Sequence, residues 1–264
     1  MATIERDAVS LHVETAGDGP PLLLIAGLAS DSASWGPVWA PLAERFGLIA
    51  PDNRGCGRTT PQTAPISIEA MAQDALAVLD ALGVTRAHVL GHSMGAMIAA
   101  TLAAAAPERV DRLVLAGAGF APNPRNASLF ADMAALRTAG VAPELWFRLL
   151  FPWLFAPAFF ADRAGVEEAA RLSVAYPYPQ SDAAFAAQAQ AAAAWAPGDR
   201  LASLRAPTLA LLGGADLLFA PEAARASLSA VADLSVVVLE GAGHSLHWDA
   251  PAAFAGAVSD FLTA

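Results

Sequence analysis

The stretch AHVLGHSMGAMIAATLAAAAPERV, Ala87–Val110, opens with a short apolar run and continues as a helix-compatible pattern of small residues. Between the two stand Gly91, Ser93 and Gly95. A run such as Ala87–Leu90, apolar on both faces and ended by glycine, suits a parallel strand covered from both sides. The small-residue segment Met94–Ala105 suits a helix packed closely on that strand. A serine centred in so sharp a turn is held out from the backbone, and the flanking glycines remove side chains that would collide across it. The G-x-S-x-G pattern alone arises by chance in roughly one chain in ten of this length, so its weight comes from the strand before it and the helix after it.

Outward from this stretch the same alternation repeats. Apolar runs at Pro21–Gly27, Leu48–Pro51, Arg112–Ala116, Thr208–Leu212 and Val236–Leu239 read as further buried strands. Helical spacing marks Val38–Arg45, Ile68–Leu82, Pro221–Ala232 and Ala252–Leu262, with Ser67 ahead of the second as its N-cap. Thr3–Arg6 and Ser10–Thr15 flank a polar turn at Asp7-Ala8 and read as an N-terminal hairpin. Alternating strands and helices predict an α/β fold: a mostly parallel, twisted sheet of about eight strands, antiparallel at its N-terminal hairpin, with helices on both faces.

Residues 120–200 break the rhythm. They offer no clear strand and hold 13 of the chain's 20 aromatic residues, including the segment ELWFRLLFPWLFAPAFFAD from Glu144 to Asp162. The expectation is a core domain of residues 1–119 and 201–264, with 120–200 inserted as a helical cap. Its aromatics Phe151, Trp153 and Phe155 are candidates for the lining of an apolar substrate pocket.

Composition narrows the classes. The chain has 264 residues, 56% hydrophobic and 15% charged, with a formal net charge of −10. That balance argues against a nucleic-acid partner, which needs a basic face. No apolar run reaches the roughly 18–20 residues of a membrane span, and Met1–Ser10, with Glu5, Arg6 and Asp7, lacks an apolar signal core. A cytoplasmic protein, monomer or homodimer, is expected. The lone Cys56 excludes an internal disulfide, and no H-x-x-x-H pair of the five histidines falls on a helix, so neither a metal centre nor another cofactor is expected.

A serine hydroxyl needs a base to take its proton as it attacks. On a strand–turn–helix elbow the partners follow in the order Ser, acid, His. Asp216, in APTLALLGGADLLFAP, stands just beyond a strand run, where ligand-facing residues of an open α/β sheet lie. His244, in VVVLEGAGHSLHWDAP, follows Gly243 in a glycine-rich loop. Its rival His247 reads as a loop or surface residue, with a substrate contact as the alternative. His92 points away from the nucleophile's side of the turn and reads as structural. The expected catalytic set is Ser93, His244 and Asp216, with an oxyanion held by the backbone N–H groups of Met94 and Leu28.

With these residues in place, the chain resembles the α/β-hydrolases over essentially its full length. PLLLIAGLASDSASW matches their oxyanion-loop block, IAPDNRGCGRT the block after the next strand, and VLGHSMGA the nucleophile elbow. PTLALLGGADLLFAP and GAGHSLHWDAPAAF match the acid and histidine blocks. Within the fold it is most similar to small ester and lactone hydrolases, 3-oxoadipate enol-lactonase-like proteins among them. The resemblance implies a cofactor-free serine hydrolase acting through an acyl-enzyme on a small, largely apolar ester or lactone. Carbon–carbon bond hydrolases, aminoacrylate hydrolase-like enzymes and perhydrolases use the same triad. Small-molecule receptors of this fold are the non-enzyme alternative, and multiple turnover separates them. The pattern departs from many relatives at Ala26-Gly27, where they carry His-Gly, and at Cys56, where they carry histidine. Asp52 and Arg54 read as loop anchors and Cys56 as a packed thiol.

Overall fold

A computed structural model of the chain describes residues 2–264. Among them the strands are β1 (Ala2–Arg6), β2 (Val9–Ala16), β3 (Pro21–Ile25), β4 (Gly47–Pro51), β5 (Ala87–His92), β6 (Val110–Ala116), β7 (Thr208–Gly213) and β8 (Leu234–Leu239). They form one sheet in the order β1-β2-β4-β3-β5-β6-β7-β8. The pairings β1–β2 and β2–β4 are antiparallel and the rest are parallel. The hairpin turn at Asp7-Ala8 has positive φ at both residues, 49° and 61°, the left-handed conformation that two-residue hairpin turns favour.

The helices are α1 (Gly36–Ala43), α2 (Ile68–Ala81), α3 (Met94–Ala105), α4 (Pro124–Thr138), α5 (Pro143–Leu154), α6 (Arg163–Val174), α7 (Asp182–Ala194), α8 (Arg200–Ser203), α9 (Pro221–Ser227), α10 (Leu246–Asp249) and α11 (Pro251–Thr263). Ser67 caps α2 by accepting the N–H of Ala70. Helix α9 is shorter than its sequence pattern: after Ser227 the chain turns so that Leu228 and Val231 are buried, and the Asp233 carbonyl meets the N–H of Thr208. Among the described residues no helix is long and apolar enough to cross a membrane.

Period-two alternation splits the sheet's side chains between two cores. Leu23, Ile25, Val89, Leu113, Leu115, Ala210 and Leu212 join α2 and α3 on one face. Leu22, Leu24, Leu90, Val114, Leu209 and Leu211 join α1 and α11 on the other. Between β6 and β7 the segment is helical, α4 to α7 with a 3-10 turn at Pro157–Ala161, and it has its own apolar cluster of Met133, Trp146, Leu150 and Phe185.

The chain leaves β3 towards β4 on one side and returns through β5 on the other, so β3 and β5 flank a topological switch point, where open α/β sheets form their ligand crevice. Ile25 pairs with Gly91 in register, which brings the loops after these strands side by side. Contact there is too close for any side chain. A Cβ on Gly91 would lie 2.2 Å from the Gly95 carbonyl oxygen, and one on Gly95 would lie 2.1 Å from that of Ile25. Gly256, exposed in the middle of α11, meets nothing within 4 Å. Gly256→Ala is therefore expected to stabilise the fold by about 0.5–1 kcal/mol. Gly95→Ala is expected to cost about 2–3 kcal/mol or more. Urea unfolding of the two variants measures both.

Candidate active site

Three loops at the C-terminal edge of the sheet converge. Ser93 ends β5 and begins α3 with φ 56° and ψ −120°, a left-handed conformation that a side chain adopts only under strain. Its N–H donates to the Ala116 carbonyl at 2.9 Å, tying the elbow to the end of β6. Asp216 follows β7 and is almost fully buried. One carboxylate oxygen accepts the N–H groups of Leu218 and Phe219 at 2.7 and 2.9 Å; the other lies 2.9 Å from His244 Nδ1. His244, buried in the loop after β8, places Nε2 2.9 Å from Ser93 Oγ. One ring nitrogen of His244 thus meets Asp216, and the other faces the Ser93 hydroxyl.

Behind His244 stand two more buried imidazoles, packed at an angle to one another. The His92 ring lies 4.9 Å from that of His244 and 4.7 Å from that of His247. His92 Nε2 donates to the His244 carbonyl at 2.9 Å. Burial, reinforced by neighbouring His244, pushes the His92 pKa down to about 3. Burial, with His92 beside it, also holds His247 well below the ordinary histidine value. The surface position expected for His247 is wrong. It packs on Trp35 and Phe254, because α10 turns its ring inward towards the core under α1 and α11.

Beside Ser93 opens a cavity of about 370 Å³. Leu28 and Met94 stand in its wall with Ser93. A Cβ on Gly27 would come within 3.2 Å of Ser93 Cβ, so the loop carrying Leu28 runs directly past the hydroxyl. The rest of the wall comes from Met97, Phe120, Phe130, Trp195, Phe219 and the small residues Ala189, Ala192 and Ala193, with Asn123 and Asn126 its polar members. Among the described residues, none that form the wall carries a formal charge.

Phe151, Trp153 and Phe155 lie outside this wall, contrary to the expectation for them. Phe151 and Phe155 pack on each other and on Phe159, with ring centroids 4.4–5.7 Å apart. Trp153 lies under the Arg125 guanidinium. These aromatics of the strongly apolar α5 and the turn after it thus pack within the helical segment, while Leu145 and Leu149 of the same helix stay exposed. The cavity instead follows the alanine face of α7, where short side chains leave space. The sequence signals for the wall are weaker: the alanine spacing of α7, and Phe219 three residues beyond Asp216 in the turn that the carboxylate caps.

The remaining motif residues act as scaffolding. Asp52, fully buried, accepts the N–H groups of Ser32 and Arg58. Arg54 makes a two-pronged pair with Asp74. Cys56 is buried, and desolvation pushes its thiol up to about 12, so it is protonated and unreactive at neutral pH.

The family model for the alpha/beta hydrolase fold matches residues 20–251, and the chain belongs to this family, a hydrolase by class. RutD of Variovorax paradoxus strain S110, named as a carbamate hydrolase, is 31% identical over 257 residues, 96% of each chain. A thermophilic esterase from Thermogutta terrifontis superposes with a TM-score of 0.87 at 26% identity, over 99% of this chain and 97% of that one. The enol-lactonase of Burkholderia xenovorans LB400 superposes with a TM-score of 0.88 over 100% of both chains; at 24% identity that likeness speaks for the fold.

The buried imidazoles of His92 and His247 give the fold a pH dependence. His92 and His247 stay neutral when folded but take up protons in the unfolded chain near pH 6.5. The unfolded state therefore binds more protons below that pH, and stability falls as pH falls, by up to about 1.4 kcal/mol per pH unit for each ring. His247→Gln, which cannot titrate, is expected to lose less stability than the wild type between pH 7 and 5.5 in urea unfolding.

Proposed function

We propose that this protein is a serine hydrolase of small, neutral, apolar esters and lactones. The observation that carries the reading is the unbroken Asp216–His244–Ser93 hydrogen-bond chain, ending on a hydroxyl at the wall of an uncharged cavity. In this reading His244 Nε2 takes the Ser93 proton as Oγ attacks the substrate carbonyl. Asp216 holds the Nδ1–H tautomer and stabilises the imidazolium. The N–H groups of Leu28 and Met94 receive the developing oxyanion, Met94 also adding the N-terminal end of α3. The imidazolium then protonates the leaving alcohol. Water, activated by the same ring, releases the acid and restores Ser93. The reaction so drawn uses protein groups and water alone.

Residues 120–200 serve as the cap, closing a dry space over the acyl group. Neutrality of the wall sets the substrate class: a carboxylate on the acyl chain would be desolvated there without a cationic partner. A second reading, hydrolysis of a neutral carbamate by the same steps, is favoured by the likeness to RutD. A cytoplasmic setting suits the reduced, buried Cys56.

Ser93→Ala is expected to lower kcat/KM for p-nitrophenyl butyrate by at least about a thousandfold while the protein stays folded. Retained turnover would remove the mechanism. The wild type is expected to prefer the butyrate ester over the matching succinate half-ester by at least about a hundredfold. Parity between the two would remove the substrate class, and a larger kcat/KM for an N-alkyl aryl carbamate would favour the second reading.

A further inference from the structure

Gln188 is a polar side chain outside the Ser93–His244–Asp216 group with hydrogen bonds at both ends of its amide. It lies on α7, in the helical insertion, and is wholly buried. Its Oε1 accepts the backbone N–H of Ala29 at 3.0 Å, and its Nε2 donates to the backbone carbonyl of Arg54 at 2.8 Å. One partner can only donate and the other can only accept, so the orientation of the amide is fixed. Oε1 also accepts from Gln180 Nε2 at 3.0 Å.

Ala29 follows the proposed oxyanion donor Leu28, and it is strained, with φ 58°. The turn holding Leu28 is clamped at three points. Asn53 Nδ2 donates to the Ala26 carbonyl at 2.9 Å, Ser30 N–H closes on the Gly27 carbonyl at 3.3 Å, and Gln188 takes the Ala29 N–H. The first two contacts come from the core. The third comes from the insertion, whose apolar cluster also packs on the Leu28 and Ala29 side chains.

We propose that Gln188 is a positioning residue for the oxyanion hole: it holds the strained Ala29 peptide so that the Leu28 N–H points at the oxyanion, and so makes the docked insertion a condition of catalysis. The proposal rests on the serine-hydrolase reading. The insertion then does more than cover the substrate. Without its amide, the Ala29 N–H loses its acceptor and the turn can relax away from Ser93. Misplacement on this scale acts on the transition state, where the negative charge develops, and little on ground-state binding.

Gln188→Met keeps the length and removes both polar partners. It is expected to lower kcat for p-nitrophenyl butyrate by about ten- to a hundredfold with KM changed less than about threefold. An aryl trifluoromethyl ketone, whose Ser93 adduct carries an oxyanion, is expected to lose affinity by the same factor, while an unreactive ether of the same shape keeps its affinity. Gln188→Glu, which when wholly buried stays protonated and so keeps both an acceptor for Ala29 and a donor for the Arg54 carbonyl, is expected to recover most of kcat and ketone affinity. If the methionine variant does not fold, Gln188→Asn, one methylene short of bridging, is measured in its place. Unchanged kcat and ketone affinity in the folded variant overturn the proposal, as does an equal loss for ketone and ether. A wild type that neither turns over the ester nor binds the ketone overturns the serine-hydrolase reading, and this one with it.

Discussion

The elbow at Ser93 rests on a contact between backbones. Gly95 presses on the carbonyl of Ile25 and Gly91 on that of Gly95, at distances where a methyl group would overlap. That approach lets α3 begin directly against the ends of β3 and β5, and it forces Ser93 into a conformation costing about 1–3 kcal/mol. The strain is held in place by the Ser93–Ala116 hydrogen bond and by an almost completely buried α3. Relaxing the turn would withdraw the hydroxyl from His244 and separate the two loops that approach it.

The surroundings of His244 follow the same logic in electrostatic terms. Two neutral imidazoles pack at an angle behind it and one ties down its carbonyl, so the loop is fixed without adding charge beside the His244 ring. The charge beside it is Asp216, whose far oxygen is satisfied by two backbone N–H groups.

The helical insertion divides its labour by side-chain size. Its large aromatics pack on one another and on the Met133–Phe185 cluster. Its alanines, on α7, border the cavity and leave it open. Gln188 lies on the same helix as that alanine face, so one element both shapes the cavity and reaches the loop that carries Leu28.

Local chemistry made much of this legible in advance. The alternating apolar runs, the glycines around Ser93 and the order of serine, acid and histidine can be read along the chain, and they point to the strands, to the turn and to the three side chains that the fold brings together. The wall of the cavity was not legible in that way. Phe151, Trp153 and Phe155 and the alanines of α7 carry similar helical patterns, and which face meets the cavity depends on how α4 to α7 pack on one another. Nor does the spacing of His247 distinguish a surface ring from one buried on Trp35. Gln188 is an ordinary polar residue in an alanine run until the fold sets it against Ala29, 159 positions earlier in the chain. Sequence determined which groups are candidates to react, because that rests on residue type and local geometry. Tertiary structure decided what surrounds them and what holds them, because that rests on contacts between residues far apart in the chain.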